Sequence, residues 1–251
     1  VKPPGSQNRT LYGVMIVIAL WYLLHLAVRS PIVPGPWETT VTFFKLMTGN
    51  LLLHIGVSLY RILVAVMLSV IVGLPLGIYI GWSKRADKYL SPVVYLLYPI
   101  PKIAFLPVFL VLFGLGDASK IILIITIIFF QILLAARDGI KEITKEMVDS
   151  ARSLGLGGRM LFFDLILPAV MPKMISALRI SIGIGIAALF FAENYATRYG
   201  IGYFIMNSWV MVDYVAMFAG VMALSLLGIL LFRLLDLLER KFCPWLFLDN
   251  S

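Results

Sequence analysis

Residues 62–80 run for 19 positions without an Asp, Glu, Lys, Arg or His. A helix rises about 1.5 Å per residue, so a stretch of that length crosses the roughly 30 Å hydrocarbon core of a bilayer. Inside lipid the backbone must satisfy its own N–H and C=O groups, which leaves the α-helix as the natural fold for such a run. Comparable apolar runs lie at 11–28, 51–80, 89–113, 121–136, 174–192 and 214–232. The expected fold is therefore an all-α integral membrane protein with six transmembrane helices. The third run is interrupted by Pro99, Pro101 and Pro107. A shorter amphipathic stretch, 37–47, follows Pro31, Pro34 and Pro36 and is expected to lie along the membrane interface.

Composition points the same way. The chain is 61% hydrophobic and 14% charged, where a soluble domain carries about 45–50% apolar and about 25% charged residues. An ordinary globular enzyme is excluded, and the spans leave no room for a second, soluble domain. The net charge of +8 would suggest nucleic acid in a soluble chain. In a membrane chain basic residues gather in cytoplasmic loops. With the N-terminus inside, one face receives Lys2, Arg9, Lys84, Arg85, Lys88, Arg137, Lys141, Lys145, Arg152, Arg159, Lys173, Arg233, Arg240 and Lys241; the other receives Arg29, Lys45, Lys120 and Arg198. That asymmetry places both termini in the cytoplasm. The expected organisation is a cytoplasmic tail at 1–10, one transmembrane domain at 11–235 with a cytoplasmic loop at 137–173, and a cytoplasmic tail at 236–251. Val1-Lys2-Pro3-Pro4 shows no cleavage pattern, so the first run is expected to be a retained span. The lone Cys243 excludes a disulfide framework. No internal repeat is visible, in contrast to inverted-repeat carriers.

The loop at 137–173 is the most informative segment. Ile140, Ile143, Met147, Val148, Ala151 and Leu154 recur at helical spacing, predicting one amphipathic helix over 140–154. Gly155, Gly157 and Gly158 supply its stop, and a second short helix over 159–167 is expected to end at Pro168. By pattern alone this is either a compact knob or a basic loop resting on lipid headgroups.

Asp149-Ser150-Ala151-Arg152-Ser153-Leu154-Gly155, followed after nine intervening residues by Leu165-Ile166-Leu167-Pro168, resembles the E-A-A-x-x-x-G-x9-I-x-L-P loop of ABC-importer permeases. Asp149 stands for Glu, Ser150 for Ala and Leu165 for Ile; Gly155, Leu167 and Pro168 match. His54-Ile-Gly-Val-Ser58-Leu-Tyr-Arg61, Gly73-Leu-Pro75-Leu-Gly77, Pro99-Ile-Pro101-Lys102-Ile-Ala-Phe105-Leu-Pro107, Phe113-Gly-Leu-Gly116, Ala192-Glu193 and Tyr199-Gly-Ile-Gly202 resemble the nitrate/sulfonate/taurine/bicarbonate branch of these permeases. The resemblance covers roughly residues 33 to 245. It implies a type I importer fold with a cytoplasmic coupling helix in a bacterial inner membrane. It also implies a second permease copy, separate ABC ATPase subunits that bind ATP and Mg, and an extracytoplasmic binding protein that delivers a small anion. Ser150, Ala151 and Gly155 would sit where the coupling helix meets the ATPase, small side chains letting two backbones approach. No cofactor is implied in this chain.

Basic residues at membrane depth are functional candidates by default. Arg61, Lys102 and Arg179 qualify, although each lies near a span end and long cations snorkel to the headgroups. Lys102 follows prolines that free backbone carbonyls. Broken helices at this depth line a cavity or are buried in protein, so Pro99, Pro101, Lys102, Phe105 and Pro107 are expected on a translocation path, or else in a packed kink. Glu193 could neutralise an arginine, gate the path or cap a loop. His25 and His54 are isolated and suggest no metal site.

No G-x-x-x-x-G-K-[ST] and no H-E-x-x-H occurs, so the chain lacks the P-loop and zincin chemistries, and no activated nucleophile is visible. The leading expectation is a non-catalytic permease subunit. A self-contained channel or ion-coupled carrier is the alternative, one that would need acidic residues deep in several spans.

Overall fold

A computed structural model describes residues 6–195 and 197–250. Residues 1–5 of the expected N-terminal tail, Ala196 and Ser251 lie outside the described residues. No strand occurs among the described residues. The helices are α1 (Ser6–Val28), α2 (Pro36–Met47), α3 (Leu51–Trp82), α4 (Lys84–Leu97), α5 (Leu106–Phe113), α6 (Asp117–Lys141), α7 (Lys145–Ser153), α8 (Gly158–Leu161), α9 (Leu167–Glu193), α10 (Ile201–Val210) and α11 (Tyr214–Phe242). Among the described residues, five continuous helical stretches are long and apolar enough to cross a membrane, and α4 with the Lys102–Phe113 helix, bent by 79°, makes a sixth when the pair is taken as one span. The all-α, six-span architecture expected from the apolar runs is the one observed. The chain forms two compact units.

The first unit contains residues 1–57 and 198–226. Trp21 of α1 stacks on Phe218 of α11 with ring centroids 5.8 Å apart, and its indole N–H donates to the Pro34 carbonyl at 3.1 Å. The His25 ring lies 2.7 Å from the Val33 carbonyl through Nδ1. The proline-rich connection is thus pinned by α1, and Pro36 opens α2 in its first turn, where a missing N–H is harmless. Where α10 meets α11, a Cβ on Gly220 would lie 2.7 Å from the Ile205 side chain and 2.8 Å from that of Phe204, so a larger residue would have to displace both.

The second unit contains residues 58–197 and 227–251, and α6 is its axis. Leu123, Ile124, Ile128, Ile132 and Ala136 have no accessible surface. On α3, Gly73, Gly77 and Gly81 recur every fourth residue and face α6. A Cβ on Gly77 would lie 2.4 Å from the Leu133 carbonyl oxygen, and one on Gly81 would lie 2.8 Å from that of Arg137. Small residues at this spacing let two membrane helices approach backbone to backbone, where dispersion rather than the hydrophobic effect holds them. On its other side α6 meets α9: Gly139 packs on Val170, and Gly185 on Ile124 and Ile128.

Several element boundaries differ from the expected ones, each for a physical reason. The helix expected over 140–154 is two: α6 runs to Lys141, and α7 starts at Lys145. Thr144 accepts from the Met147 amide as an N-cap, and such a side chain competes with helix continuation. The turn lets Ile140, Ile143, Val148 and Ala151 enter one core. The short helix expected over 159–167 does not end at Pro168. The chain stays helical from Gly158 to Glu193, because the turn before the proline widens to a π-helix at Phe162–Ile166, with the Leu167 amide bonded to the Phe162 carbonyl. That i→i−5 geometry leaves room for a ring that would clash with an α-helical carbonyl. The C-terminal tail expected from residue 236 is helical as far as Phe242: hydropathy marks where lipid ends, not where a helix does.

Candidate functional site

Two groups of residues in the second unit stand out, one at each end of α6. The first is the knob built on α7. Its N-terminus is capped by Thr144, and the carboxyl of Glu146 is held below its ordinary pKa by its own backbone N–H and then by the Thr144 hydroxyl. Its C-terminus is a Schellman closure. The Gly155 amide donates to the Arg152 carbonyl at 2.9 Å, and the Leu156 amide to the Ala151 carbonyl at 3.0 Å. Gly155 adopts φ +87°, the left-handed conformation this motif requires and L side chains resist. No atom outside its neighbours lies within 4 Å of where a Cβ would stand. Glycine is needed here by backbone conformation; within this chain no second backbone approaches it.

Of the predicted loop residues, Asp149, Ser150, Arg152 and Leu154 are exposed, Leu154 at 81%. Ala151 is only 7% exposed and turns inward against Ala136, Ile140, Leu161, Ile166 and Val170. It therefore anchors the knob to its own chain. Leu165 packs against the same core, and Leu167 and Pro168 continue the helix below the knob, half-buried. Met147, Met160 and Phe163 are exposed, as Leu154 is; helical spacing singles out Met147 and Leu154, whereas Met160 and Phe163 lie beyond the glycine turn and outside that pattern. Lys173 and Glu142 form an ion pair at the base of the knob. Beside it Asp87 receives Arg137 at 2.8 Å and Lys141 at 2.7 Å, tying α4 to α6.

The second group is a buried charge cluster at the opposite end of α6. Arg61 of α3 donates through Nη1 to Glu193 Oε1 at 2.6 Å, and through Nε and Nη2 to Asp117 Oδ1 at 2.9 and 2.6 Å. Ser58, one turn earlier on α3, donates to both Glu193 oxygens at 2.8 and 3.0 Å. The Arg61 and Glu193 side chains are 5% and 1% accessible, while Asp117 is 48% accessible. Lys120, without accessible surface, donates to the carbonyls of Leu115 and Gly116 at 3.0 and 3.1 Å. Charge-assisted bonds of this kind keep ions tolerable in a low-dielectric interior.

Arg61 and Glu193, singled out separately in the sequence, are thus brought together. Asp117, Lys120 and Ser58 were missed. Lys120 counts in the sequence only as one basic loop residue, and nothing local to Asp117 signals a partner 56 positions away. Arg179 lies elsewhere, 2.8 Å from Asp236 and 2.9 Å from Glu239 of α11. Lys102 sits at the bend after α4, its ammonium 2.6 Å from the carbonyls of both Leu97 and Tyr98. Pro99 and Pro101 form that bend, Phe105 ends the 3₁₀ turn beyond it, and Pro107 opens α5. In the first unit, His54 Nδ1 faces the backbone of Gly200, whose amide donates to it at 3.0 Å. Gly200 has φ +146°, which gives the Tyr199-Gly-Ile-Gly202 motif a conformational role.

Comparison with known proteins adds a family to this geometry. The sequence profile described as "Binding-protein-dependent transport system inner membrane component" matches residues 73–242. The chain is 32% identical to a putative aliphatic sulfonates transport permease of Bacillus subtilis, across 97% of this chain and 91% of that one. It is 30% identical to a taurine transport system permease of Escherichia coli, across 96% and 92%. It is 27% identical to a formylaminopyrimidine transport permease of Halalkalibacterium halodurans, across 94% of each.

Proposed function

The chain belongs to the family of binding-protein-dependent transport system inner membrane components and is an ABC transport permease, a non-catalytic membrane subunit; from that premise we propose how it is coupled and what it carries. The knob is the coupling helix. Its Schellman closure presents Leu154, with Met147, Met160 and Phe163, to a separate ATPase subunit that binds ATP and Mg. Asp149, Ser150 and Arg152 form the polar rim of that contact. With the knob in the cytoplasm, a reading the distribution of basic residues supports, both termini are cytoplasmic. The Arg61–Glu193–Asp117 cluster then lies toward the external side, where an extracytoplasmic binding protein delivers substrate. One chain carries one knob, so two copies pair with two ATPase subunits in a bacterial inner membrane.

The substrate is a small oxyanion, with the sulfonate class favoured over nitrate or bicarbonate by what the relatives carry. The cations of the spans give that reading little support. Arg61 and Arg179 are matched by carboxylates, and Lys102 by carbonyls. The translocation path runs beside the broken span, 98–113, whose backbone is irregular at membrane depth.

The observation that carries the assignment is the exposed, capped knob in a chain of this family. The test is purification of the tagged chain from native membranes in mild detergent, beside Gly155→Trp. A P-loop ATPase that accompanies the wild type and is lost with the variant supports it. Wild type that purifies alone and transports in liposomes without ATP overturns it in favour of a self-contained carrier.

A further inference from the structure

The broken span is fastened very differently at its two ends. At the end that leads into α6, Lys120 donates to the Leu115 and Gly116 carbonyls with no surface exposed. Ser119 Oγ donates to the Gly116 carbonyl at 3.1 Å, and Arg61 grips Asp117 from α3. Gly114, at φ +79° with no atom within 4 Å of where a Cβ would stand, lies just before these fastenings. At the end that leaves α4, one side chain among the described residues bonds the carbonyls of the bend, and the segment next packs on α6 through Leu106, Phe109 and Leu110. Pro101 has no N–H to offer the Leu97 carbonyl, and the Ile100 amide reaches that oxygen only at 3.4 Å. The Lys102 ammonium replaces the missing donor, bridging Leu97 and Tyr98 at 2.6 Å each. It rests 4.9 Å from the centre of the Phe130 ring of α6. A cation on the last carbonyls of a helix also meets the negative end of its dipole. Lys102 forms no ion pair among the described residues.

We propose that residues 98–117 are a hinged segment of the translocation path, pivoting at the Gly114–Asp117 turn and clasped at the other end by Lys102. Lys102 is then a positioning residue and makes no contact with the transported solute. Carbonyl acceptors and an aromatic face hold an ammonium firmly yet release it without leaving a buried anion behind, unlike the Arg61 cluster. A clasp of that chemistry suits a segment that must open and close. The inference rests on the reading that the broken span borders the path.

The test pairs a distance measurement with uptake in the assembled transporter. Spin labels are placed at Val93→Cys and Val111→Cys, two exposed positions flanking the bend, while the native Cys243 is buried. The background is wild type, Lys102→Met, Lys102→Gln or Lys102→Arg. One narrow distance is expected for wild type and Lys102→Arg, and a broadened or second population for Lys102→Met. Lys102→Gln, which keeps two N–H donors, falls between. Uptake by Lys102→Met should lose about tenfold or more in turnover with KM within about twofold, the pattern of a residue that acts off the substrate, and Arg should restore it. An unchanged narrow distance in Lys102→Met overturns the clasp. So does a raised KM without a change in distance, which returns Lys102 to the solute. A broadened distance with unaltered uptake upholds the clasp and overturns only the placement of the segment on the path.

Discussion

Arg61 Nη1 and Glu193 Oε1 lie 2.6 Å apart with both side chains almost fully buried, joining the first third of α3 to the last residue of α9. Such a pair adds little net stability compared with apolar neighbours, yet removing the cation leaves a buried carboxylate without its counter-charge. Arg61→Met is therefore expected to destabilise by about 3–5 kcal/mol, and Glu193→Gln by less, because Arg61 keeps Asp117. The double variant Arg61→Met with Glu193→Met should recover a large part of that loss. Thermal stability of the purified variants, read by the fraction remaining monodisperse after heating, checks the non-additivity. Additive losses would mean that the two residues act separately.

Gly155 presents a different kind of requirement. Its φ of +87° costs an L side chain about 1–2 kcal/mol, and no steric neighbour adds to that. Gly155→Ala is expected to insert and fold normally while ATP-driven uptake falls severalfold, and Gly155→Asn to retain more activity than Ala because Asn tolerates the left-handed region. Equal activity of all three forms would contradict a conformational role.

Gly77 is sensitive to size, not to φ. A Cβ there would meet the Leu133 carbonyl oxygen at 2.4 Å, and a backbone atom cannot swing aside. Gly77→Leu should separate α3 from α6 at a cost of about 1–3 kcal/mol or more. The expected result is a lower yield of monodisperse protein and faster proteolysis, with Gly56→Leu as a control, since that glycine faces open space.

The pair Lys173–Glu142 is an internal contrast. Its side chains are substantially exposed, and exposed pairs contribute about 0–1 kcal/mol. Glu142→Ala should leave stability and uptake within error of wild type, measured in the same assays. A large loss would show that the knob depends on its base for orientation.

Apolar run length and the prolines alone fixed much of this protein. Residues 62–80 had to become a membrane helix because nothing else satisfies a backbone in lipid, and Pro99 with Pro101 had to break one. Gly155 was readable as a helix stop because the left-handed requirement is local. What sequence could not carry was anything that depends on two distant segments meeting. Gly73, Gly77 and Gly81 became meaningful only against α6, and Ala151 proved to face inward only once α6 and α9 supplied the core around it. Pro168, a stop by local rules, was overridden by a widened helical turn. Arg61, Lys102 and Arg179 looked alike as span-end cations. Tertiary structure separated them into a partner of two buried or half-buried acids, a clasp on backbone carbonyls, and a bridge to α11. Charge is written in the sequence, but whether it is free or spent is decided by which groups the fold brings within hydrogen-bond distance.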